Sequence, residues 1–483
     1  MISNKLWLLA FLLTLIRPSM AMDLPDIGDS SGALISSATE RKIGESIMRN
    51  LRKQMDIIED VEINQYFETV GKKLVSYSDT PARPFNFFVV KSDEVNAFAM
   101  PGGFIGIYSG LVLNTYDESE LASVLAHEIA HVTQHHLART FEAVNKLSLP
   151  MAIATIAAVV ASAALNNPEI GQAAVTAMMA GGQQMQVNFT RAHEKEADRI
   201  GIQLLVEAGF DPLSMPNFFE TLQANTRYYR QGIPEFLRTH PVTTDRIAEA
   251  KERAKKYPKK PLTESPLYQL MRARLLVLVE TDQEKLVKRL QKMLEEGRYR
   301  NELATRYALV LALLTNEKTL GVQEHIDWLL KKDGDRVVYR LQQAHLALLQ
   351  KRKDKAMQLY ERALQVYPDD PLLSLDYAEK LLQNNNPERA KVILLALSSQ
   401  QNSDYYQLLA QSHQMLGNKA EAHLVLAEDF YLHGQTALAL SQVKQARQQK
   451  GLDFYVAARI EARYQELETL LQEEQESSAM GQP

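Results

Sequence analysis

The spacing of apolar residues predicts two kinds of structure in different parts of the chain. Between residues 39 and 77 they recur at three- and four-residue intervals, which predicts two amphipathic helices. The run Phe85–Val90 follows and is typical of a strand. From Ser265 onward helical patterns recur without any strand pattern. The pattern therefore predicts a mainly α protein, in which an α+β region is followed by an all-helical one.

Three pairs of alanines in the helical region share one spacing, because the members of each pair are 12 residues apart. These pairs are Ala344 and Ala356, Ala378 and Ala390, and Ala410 and Ala422. Successive pairs are displaced by 34 and then 32 residues, close to the 34-residue period of tetratricopeptide (TPR) repeats. The spacing predicts a TPR-like superhelix whose concave surface binds other proteins. Residues 265–335 carry no clear repeat, so the number of repeats stays open.

The composition is that of a globular protein and excludes several chemistries. The chain has 483 residues, 46% hydrophobic and 23% charged, enough for two or three domains. A net charge of -5 without a basic patch argues against nucleic-acid binding. The chain contains no cysteine, which removes disulfides, thiol catalysis and cysteine-type zinc sites. A metal ion would have to bind histidine and carboxylate side chains.

Two apolar segments bear on the location of the protein. Lys5 precedes the apolar run Leu6–Ile16, and Ser19-Met20-Ala21 fits the rule for signal-peptide cleavage. This run is too short to cross a membrane, which takes about 20 apolar residues, so we predict export. The second segment, Pro150–Leu165, is uncharged and rich in alanine. A buried or interfacial helix is the favoured interpretation there, and peripheral membrane contact or a membrane span stays open.

The motif HExxH at residues 127–131 is the strongest chemical pattern in the chain. On a helix, His127 and His131 lie on one face, so both can bind one zinc ion while Glu128 flanks its open side. The flanking residues are apolar, as expected of a buried active-site helix. His135 is too far along the helix axis from His127 to bind the same ion, since the rise is about 1.5 Å per residue. A third ligand has to come from elsewhere.

Two carboxylates further along the chain offer that ligand. Glu194 and Asp198 are four residues apart and share one face of a predicted helix. One of them can bind zinc while the other accepts an N–H from a ligating histidine. Glu196 points to the opposite side of the helix. Taken alone, the segment is more typical of a solvated, charged helix start; the HExxH motif upstream, which still lacks a carboxylate ligand, reverses this preference.

A glycine-containing segment just before the HExxH helix is a candidate substrate site. Glycine inside a strand indicates a bulge or the close approach of another backbone. A strand beside a zinc ion can bind an extended peptide as an additional strand. The candidate residues are Gly103, Phe104, Ile105, Gly106 and Ile107. An edge strand with turn glycines fits the same composition.

HExxH followed about 60 residues later by ExxAD resembles the metallopeptidases that include HtpX and the CAAX prenyl proteases. The resemblance covers roughly residues 40–255 and implies a zincin-type α+β domain that acts as a metalloendopeptidase. It implies three ligands for one zinc ion, a general base, and a carboxylate that orients a ligand histidine. The implied ligands are His127, His131 and Glu194. The implied general base is Glu128, and Asp198 is the carboxylate that orients a ligand histidine.

The order of signal peptide, HtpX-like domain and TPR region resembles a family of periplasmic protease-chaperones of Gram-negative bacteria. This resemblance implies a periplasmic protein that helps outer-membrane proteins fold and degrades those that stall. The TPR region would then recruit the outer-membrane assembly machinery. The alternative is a chaperone or scaffold of that assembly whose protease site is latent or little used.

The predicted boundaries divide the chain into five parts. A signal peptide (1–21) and a loose leader (22–38) precede the zinc metallopeptidase domain (39–258). After a linker rich in lysine and proline, the TPR-like domain covers residues 263–473, and a disordered tail covers residues 474–483.

His240, which precedes a proline, is the last candidate residue. If its loop returns over the zinc, His240 can donate a hydrogen bond to the oxyanion of the tetrahedral intermediate. Alternatively, its neutral imidazole occupies the fourth zinc position and keeps the enzyme latent. We favour this latch, because an exported protease among unfolded proteins needs control of its open metal position. A surface histidine held in a turn by the proline is the remaining interpretation.

Overall fold

The computed structural model describes five stretches of the chain. They are residues 36–139, 183–225, 235–258, 265–397 and 402–480. The predicted signal peptide, most of the predicted leader and the segment Pro150–Leu165 lie outside these residues. Among the helices within them, none has both the length and the hydropathy needed to cross a membrane.

A small mixed sheet lies within the N-terminal domain. Its strands are β1 (Ile57–Ile58), β2 (Asn86–Val90), β3 (Ala97–Met100) and β4 (Phe104–Tyr108). They lie in the order β1-β2-β4-β3; β2 and β4 are parallel, and the other neighbours are antiparallel. Strand β4 therefore lies inside the sheet, and β3 forms one of its edges.

The position of β4 contradicts the prediction that Gly103 to Ile107 bind a substrate peptide. Phe104 to Tyr108 pair with β2 on one side, and most of them pair with β3 on the other, so the ladder has no free edge there. The glycines have packing roles instead. A Cβ on Gly103 would lie 2.3 Å from the carbonyl oxygen of Pro84, and one on Gly106 would lie 2.6 Å from the Phe98 ring.

The helices described around this sheet belong to the same domain. They are α1 (Ser37–Gln54), α2 (Val61–Val75), α3 (Ser109–Asn114), α4 (Glu118–Thr133), α5 (Gln183–Glu207), α6 (Ser214–Asn225), α7 (Glu235–Thr239) and α8 (Thr244–Ala254). Helix α4 carries the HExxH motif, and α5 carries Glu194 and Asp198. These two helices pack directly against each other.

Helix α4 is buried along most of its length. Asp117 caps its start by accepting a hydrogen bond from the backbone N–H of Glu120, the usual arrangement for an aspartate N-cap. Leu121, Leu125 and Ile129 are fully buried in the core of the N-terminal domain. The apolar flanks noted in the sequence therefore hold α4 inside the domain, where its histidines need polar partners.

The second half of the described chain is an array of packed helices. They are α9 (Pro266–Val279), α10 (Gln283–Glu295), α11 (Glu302–Thr315), α12 (Val322–Asp333), α13 (Val337–Leu349), α14 (Lys353–Val366), α15 (Pro371–Gln383), α16 (Pro387–Ala396), α17 (Ser403–Met415), α18 (Lys419–Leu432), α19 (Thr436–Arg447) and α20 (Phe454–Met480). Helices α9 and α10 both pack on α11, each later helix packs on the next, and the predicted repeat alanines Ala344, Ala356, Ala378 and Ala390 are buried between helices. The predicted fold class, an α+β domain followed by an all-α repeat array, is confirmed.

The end of the chain differs from its prediction. Helix α20 continues to Met480, so residues 474–480 are helical where the sequence predicted a disordered tail. Leu467 of this helix is fully buried, and the carboxylate of Glu474 accepts a hydrogen bond from Thr436 Oγ1 at 2.9 Å. This packing, together with the high helix propensity of glutamate, glutamine and alanine, extends the helix.

The repeat array contacts the N-terminal domain at several places, two of which lie near the ends of the array. Near its start, Tyr268 of α9 lies in the apolar core of the N-terminal domain, and its hydroxyl is 2.8 Å from Thr115 Oγ1. Near its end, the Arg49 guanidinium of α1 lies 5.3 Å from the centre of the Tyr431 ring. The two halves therefore share part of one core and meet again at a second contact.

Candidate metal centre

Helix α4 brings its two motif histidines together as the spacing predicts. Nε2 of His127 lies 3.1 Å from Nε2 of His131. His127 is 1% exposed, and His131 is partly buried. Both imidazoles therefore present the same nitrogen to one point beside the helix.

Glu194 on helix α5 faces that point from the other side. Its Oε2 lies 3.4 Å from Nε2 of His127, and its Oε1 lies 3.3 Å from Nε2 of His131. Gly201 allows the two helices to come this close, because a Cβ there would lie 3.3 Å from the backbone of Ala126. The structure thus brings together the three residues that the sequence proposed as ligands.

His240 lies in the same cluster. Its Nδ1 is 3.3 Å from Nε2 of His127 and 3.2 Å from both oxygens of Glu194. Its backbone N–H donates to the carbonyl of Phe236 at 2.7 Å, and the Phe236 ring stacks on the imidazole. Ligand atoms from His127, His131, Glu194 and His240 all lie within 4.8 Å of one another. His240 is therefore not a surface histidine but lies beside the three proposed ligands.

Asp198 supports His127 from behind, and an arginine that the sequence analysis missed supports Asp198. Oδ1 of Asp198 lies 3.1 Å from Nδ1 of His127. Arg246 donates two hydrogen bonds to the Asp198 carboxylate at 2.7 and 2.8 Å, and its Nη1 lies 2.9 Å from Oε2 of Glu194. Arg246 is 2% exposed. Its local sequence, a charged residue at a helix start, resembles a solvated arginine and offered no sign of this role.

The charges of the cluster are set by its own contacts. Burial alone would lower the pKa of His127, but hydrogen bonds and attraction from Asp198 and Glu194 raise it to about 10. Burial would raise the pKa of Glu194, yet His240, His127 and His131 hold it well below its usual range. Burial would likewise raise the pKa of Asp198, and Arg246 and His127 lower it. Both carboxylates are therefore ionised, and a metal ion bound to His127 would have to displace a proton from it.

These residues fit a metal ion. Imidazole nitrogens and a carboxylate oxygen are the ligands that remain available in a chain without cysteine. Glu128 is 1% exposed, and its Oε1 has no hydrogen-bond partner among the described residues. This oxygen lies 3.5 Å from Nε2 of His240, at the edge of the cluster. A buried carboxylate oxygen without a partner is costly, and a water molecule or substrate beside a metal ion would satisfy it.

The cluster combines two histidines, a carboxylate and an adjacent buried glutamate, and packed helices hold it beside a small sheet. This arrangement is that of a metallopeptidase. The model of peptidase family M48 matches residues 62–254, and a tetratricopeptide repeat model matches residues 347–412. The resemblance inferred from HExxH and ExxAD is therefore confirmed, and the protein is a metalloendopeptidase.

Relatives extend this assignment over both halves of the chain. The beta-barrel assembly-enhancing protease of Yersinia pestis is 33% identical over 449 residues, which cover 92% of each chain. That of Escherichia coli (strain K12) is also 33% identical, over 92% of this chain and 91% of its own. The putative beta-barrel assembly-enhancing protease of Vibrio cholerae is 35% identical over 451 residues, 92% of each chain. The chain belongs to the family of beta-barrel assembly-enhancing proteases.

Proposed function

We propose that this protein is a zinc-dependent endopeptidase and chaperone of the periplasm that acts on misfolded or stalled outer-membrane proteins. The names of its relatives, beta-barrel assembly-enhancing proteases, support this class of client. The predicted signal peptide supports export. The repeat array supports recruitment of the assembly machinery, because stacked helix pairs form extended protein-binding surfaces. The observation that carries the proposal is the convergence of His127, His131 and Glu194 beside Glu128.

In this proposal His127, His131 and Glu194 bind one zinc ion per chain. Two imidazole nitrogens and one carboxylate oxygen are a usual ligand set for catalytic zinc, which keeps a further position open. Asp198 faces Nδ1 of His127 at 3.1 Å and would accept its N–H once Nε2 binds the metal, and Arg246 holds Asp198 and Glu194 in place. His127 and Glu194 would then be oriented before the metal arrives.

Glu128 acts as the general base. A bound zinc ion lowers the pKa of water toward about 7 and polarises a peptide carbonyl. The free Oε1 of Glu128 takes the proton of the attacking water and passes it to the amine of the leaving peptide. Burial in the apolar surroundings of α4 keeps bulk water away from this transfer.

The substrate peptide binds along β3 instead of β4. Among the described residues, strand β3 pairs only with β4, and it packs against α4, the helix that carries Glu128. Its backbone can therefore accept an extended peptide as the next strand of the sheet. Such pairing is largely independent of the peptide sequence, which suits an enzyme that degrades unfolded proteins.

Substitution of Glu128 tests the proposal directly. The purified Glu128→Gln protein should bind zinc and remain folded, but cleave an unfolded outer-membrane protein about 100-fold or more slowly. Zinc content by elemental analysis and cleavage by gel electrophoresis measure the two properties. Glu194→Ala is the matched variant, because it should lose zinc as well as activity. Full cleavage by a folded Glu128→Gln protein would contradict the assignment.

His240 acts as a latch on the zinc in the resting enzyme. Its imidazole nitrogen lies among the candidate ligands, 3.2 Å from Glu194, and is buried beneath Phe236. A neutral histidine in that place can occupy the remaining zinc position and exclude water. Removal by His240→Ala should therefore raise proteolysis, including self-cleavage.

The oxyanion interpretation of His240 gives the opposite result. If His240 stabilises the oxyanion, His240→Ala should lower turnover by about 100-fold or more. His240→Gln serves as a control, since it keeps a hydrogen-bond donor but binds zinc poorly. If His240 is a latch, both variants should be more active than the unaltered protein. If it is an oxyanion donor, the alanine variant should lose its activity and the glutamine variant should keep part of it.

The position of His240 also favours a second candidate function, a chaperone whose protease site is mostly latent. Complementation of a strain that lacks the protein separates the two. Full rescue by Glu128→Gln would show that the cellular role is mainly that of a chaperone or scaffold. Failure of this variant to rescue would show that proteolysis is needed.

A further inference from the structure

A turn at the end of helix α4 brings a third histidine back toward His131. The helix ends at Thr133, and His135 adopts a left-handed backbone conformation with φ of 52°. Residues other than glycine seldom adopt this conformation, which reverses the chain after a helix. Helical geometry resumes at His136, and this side chain is 3% exposed. The reversal therefore places His136 in the interior, beside the helix that it follows.

His136 connects His131 to a carboxylate. Its Nδ1 lies 2.9 Å from Nδ1 of His131, and its Nε2 lies 3.2 Å from Oε2 of Glu196. The helical spacing had placed Glu196 away from Glu194 and Asp198. Arg139 approaches the same oxygen of Glu196 at 2.9 Å and holds it in place. The three side chains His131, His136 and Glu196 thus form a continuous hydrogen-bonded chain.

Only one arrangement of protons lets His131 bind a metal ion. Nε2 of His131 faces His127 and Glu194, so this nitrogen must be free of a proton to act as a ligand. The proton of neutral His131 then lies on Nδ1 and is donated to Nδ1 of His136. His136 in turn carries its own proton on Nε2 and donates it to Glu196. The reverse arrangement would put a proton on Nε2 of His131 and block the metal.

We propose that His136 is a positioning residue for His131, with Glu196 as the acceptor that completes the chain. This inference rests on the proposed function, in which His131 is a zinc ligand. His136 would do for His131 what Asp198 does for His127, because an acceptor on the rear nitrogen fixes the ring and its tautomer. The site would then hold both motif histidines from behind, one through a carboxylate and the other through a histidine.

Variants of the full chain at His136 separate hydrogen bonding from packing. The oxygen of asparagine reaches the place of Nδ1, whereas the oxygen of glutamine reaches the place of Nε2. We therefore expect His136→Asn to keep most of the zinc affinity, and His136→Gln and His136→Leu to lose about 10- to 100-fold. Competition with a chromophoric zinc chelator measures the affinity. The visible absorption of the cobalt(II) form should shift in the glutamine and leucine variants and stay unchanged in the asparagine variant.

A double-mutant cycle tests the role of Glu196. Glu196→Leu alone should weaken zinc binding by less than His136→Leu, because Glu196 acts only through His136. The double variant should bind zinc no more weakly than His136→Leu alone, since residues in one hydrogen-bonded chain are not additive. Additive losses would mean that Glu196 supports the site by another route and would overturn the chain.

The outcomes distinguish this inference from the proposed function. If the unaltered protein binds no zinc, the proposed function fails. If it binds zinc and His136→Leu binds it equally well with the same cobalt spectrum, the positioning role of His136 is wrong. Equal losses in the asparagine and glutamine variants would show that ring packing, and not the acceptor at Nδ1, is what matters, and would also overturn it.

Discussion

One buried ionic network lies between the N-terminal domain and the repeat array, and a second one surrounds the metal centre. Between the domains, Arg274 of α9 donates to both oxygens of Asp60 at 2.8 Å and lies 3.3 Å from Glu62. At the metal centre, Arg246 holds Asp198 and Glu194 at similar distances. Each network therefore buries two carboxylates around one arginine, so that the carboxylates outnumber the arginine in both.

The two networks resolve this imbalance differently. Between the domains, burial raises the pKa of Glu62 to about 7 against the opposing effect of Arg274, so a proton can neutralise the surplus charge. Tyr307 donates a hydrogen bond to the same carboxylate at 3.1 Å. At the metal centre the carboxylates stay ionised, and imidazole nitrogens converge on the space beside them. Buried charge alone is therefore not a metal site; the convergence of imidazole and carboxylate ligand atoms on one point makes it one.

Removal of the arginine between the domains should have the largest effect. Arg274→Met leaves Asp60 and Glu62 buried without a cation, which costs about 3–5 kcal/mol. Hydrogen exchange of backbone amides in α2 and α9 measures the free energy of opening this contact. Zinc affinity should not change, because the network does not contact the candidate ligands.

A matched variant tests whether the charges, and not the volume of Arg274, cause this loss. The triple variant Asp60→Asn, Glu62→Gln and Arg274→Met removes the whole network, and such removal is often nearly neutral. Asparagine keeps the N-cap that Asp60 provides to α2. If the free energy of opening in the triple variant were as low as in Arg274→Met, the contact would depend on the packing of the arginine side chain and not on its charge.

Removal of the arginine at the metal centre should act on zinc instead. Arg246→Met frees Asp198 and Glu194 from their shared partner, and we expect zinc affinity to fall about 10- to 100-fold. Competition with a zinc chelator measures the loss. The zinc affinity of Arg246→Lys should lie between that of Arg246→Met and that of the unaltered protein, because lysine keeps the charge but cannot donate to both oxygens of Asp198 in the same geometry. Unchanged zinc affinity in Arg246→Met would show that metal binding does not depend on the contacts of Arg246 with the two carboxylates.

The parts of the site that the sequence predicts are pairs of residues that lie on one face of the same helix. Four-residue spacings place His127 with His131, and Glu194 with Asp198, whatever the rest of the fold does. The repeat alanines are predictable for the same reason, because each helix pair repeats one local packing. These patterns needed no knowledge of distant contacts.

The residues that the sequence missed reach the site through the tertiary fold. Arg246 reaches Asp198 from another helix, and His136 returns to His131 only because His135 reverses the chain. Likewise, nothing local distinguishes the interior strand β4 from the edge strand β3, since strand order depends on which segments pair. Tyr268 lies beyond the predicted domain boundary but belongs to the core of the N-terminal domain. Pairing, reversal and shared burial are properties of the whole fold, not of any one segment.

The proton on Glu62 gives the contact between the domains a pH dependence. The pKa of Glu62 is about 7 in the folded protein, above its ordinary value of 4.5, so the folded state holds this proton more tightly. The stabilisation is complete below about pH 4.5 and is lost as pH rises through 7; between pH 5.5 and pH 8 the loss is on the order of 2 kcal/mol. Opening of α2 from α9, measured by hydrogen exchange, should therefore be easier at pH 8 than at pH 5.5.

Glu62→Gln is the control for this pH dependence. Its amide cannot ionise, so the difference between pH 5.5 and pH 8 should shrink in this variant. Persistence of the full difference would assign the titration to another group and would leave the surplus charge of this network unexplained.

The smallest expected effect concerns the helix that carries Arg246. Thr243 caps the start of α8, where its Oγ1 accepts a hydrogen bond from the backbone N–H of Arg246 at 3.3 Å. Thr243→Ala should cost about 1 kcal/mol of local stability, and less than tenfold in zinc affinity, because the Arg246 side chain keeps its own contacts with Asp198. Thr243→Ser retains the hydroxyl and should match the unaltered protein in both measurements. If Thr243→Ala lost as much zinc affinity as Arg246→Met, the arginine would depend on its cap for its position. The metal centre would then be less rigidly supported than its paired contacts indicate.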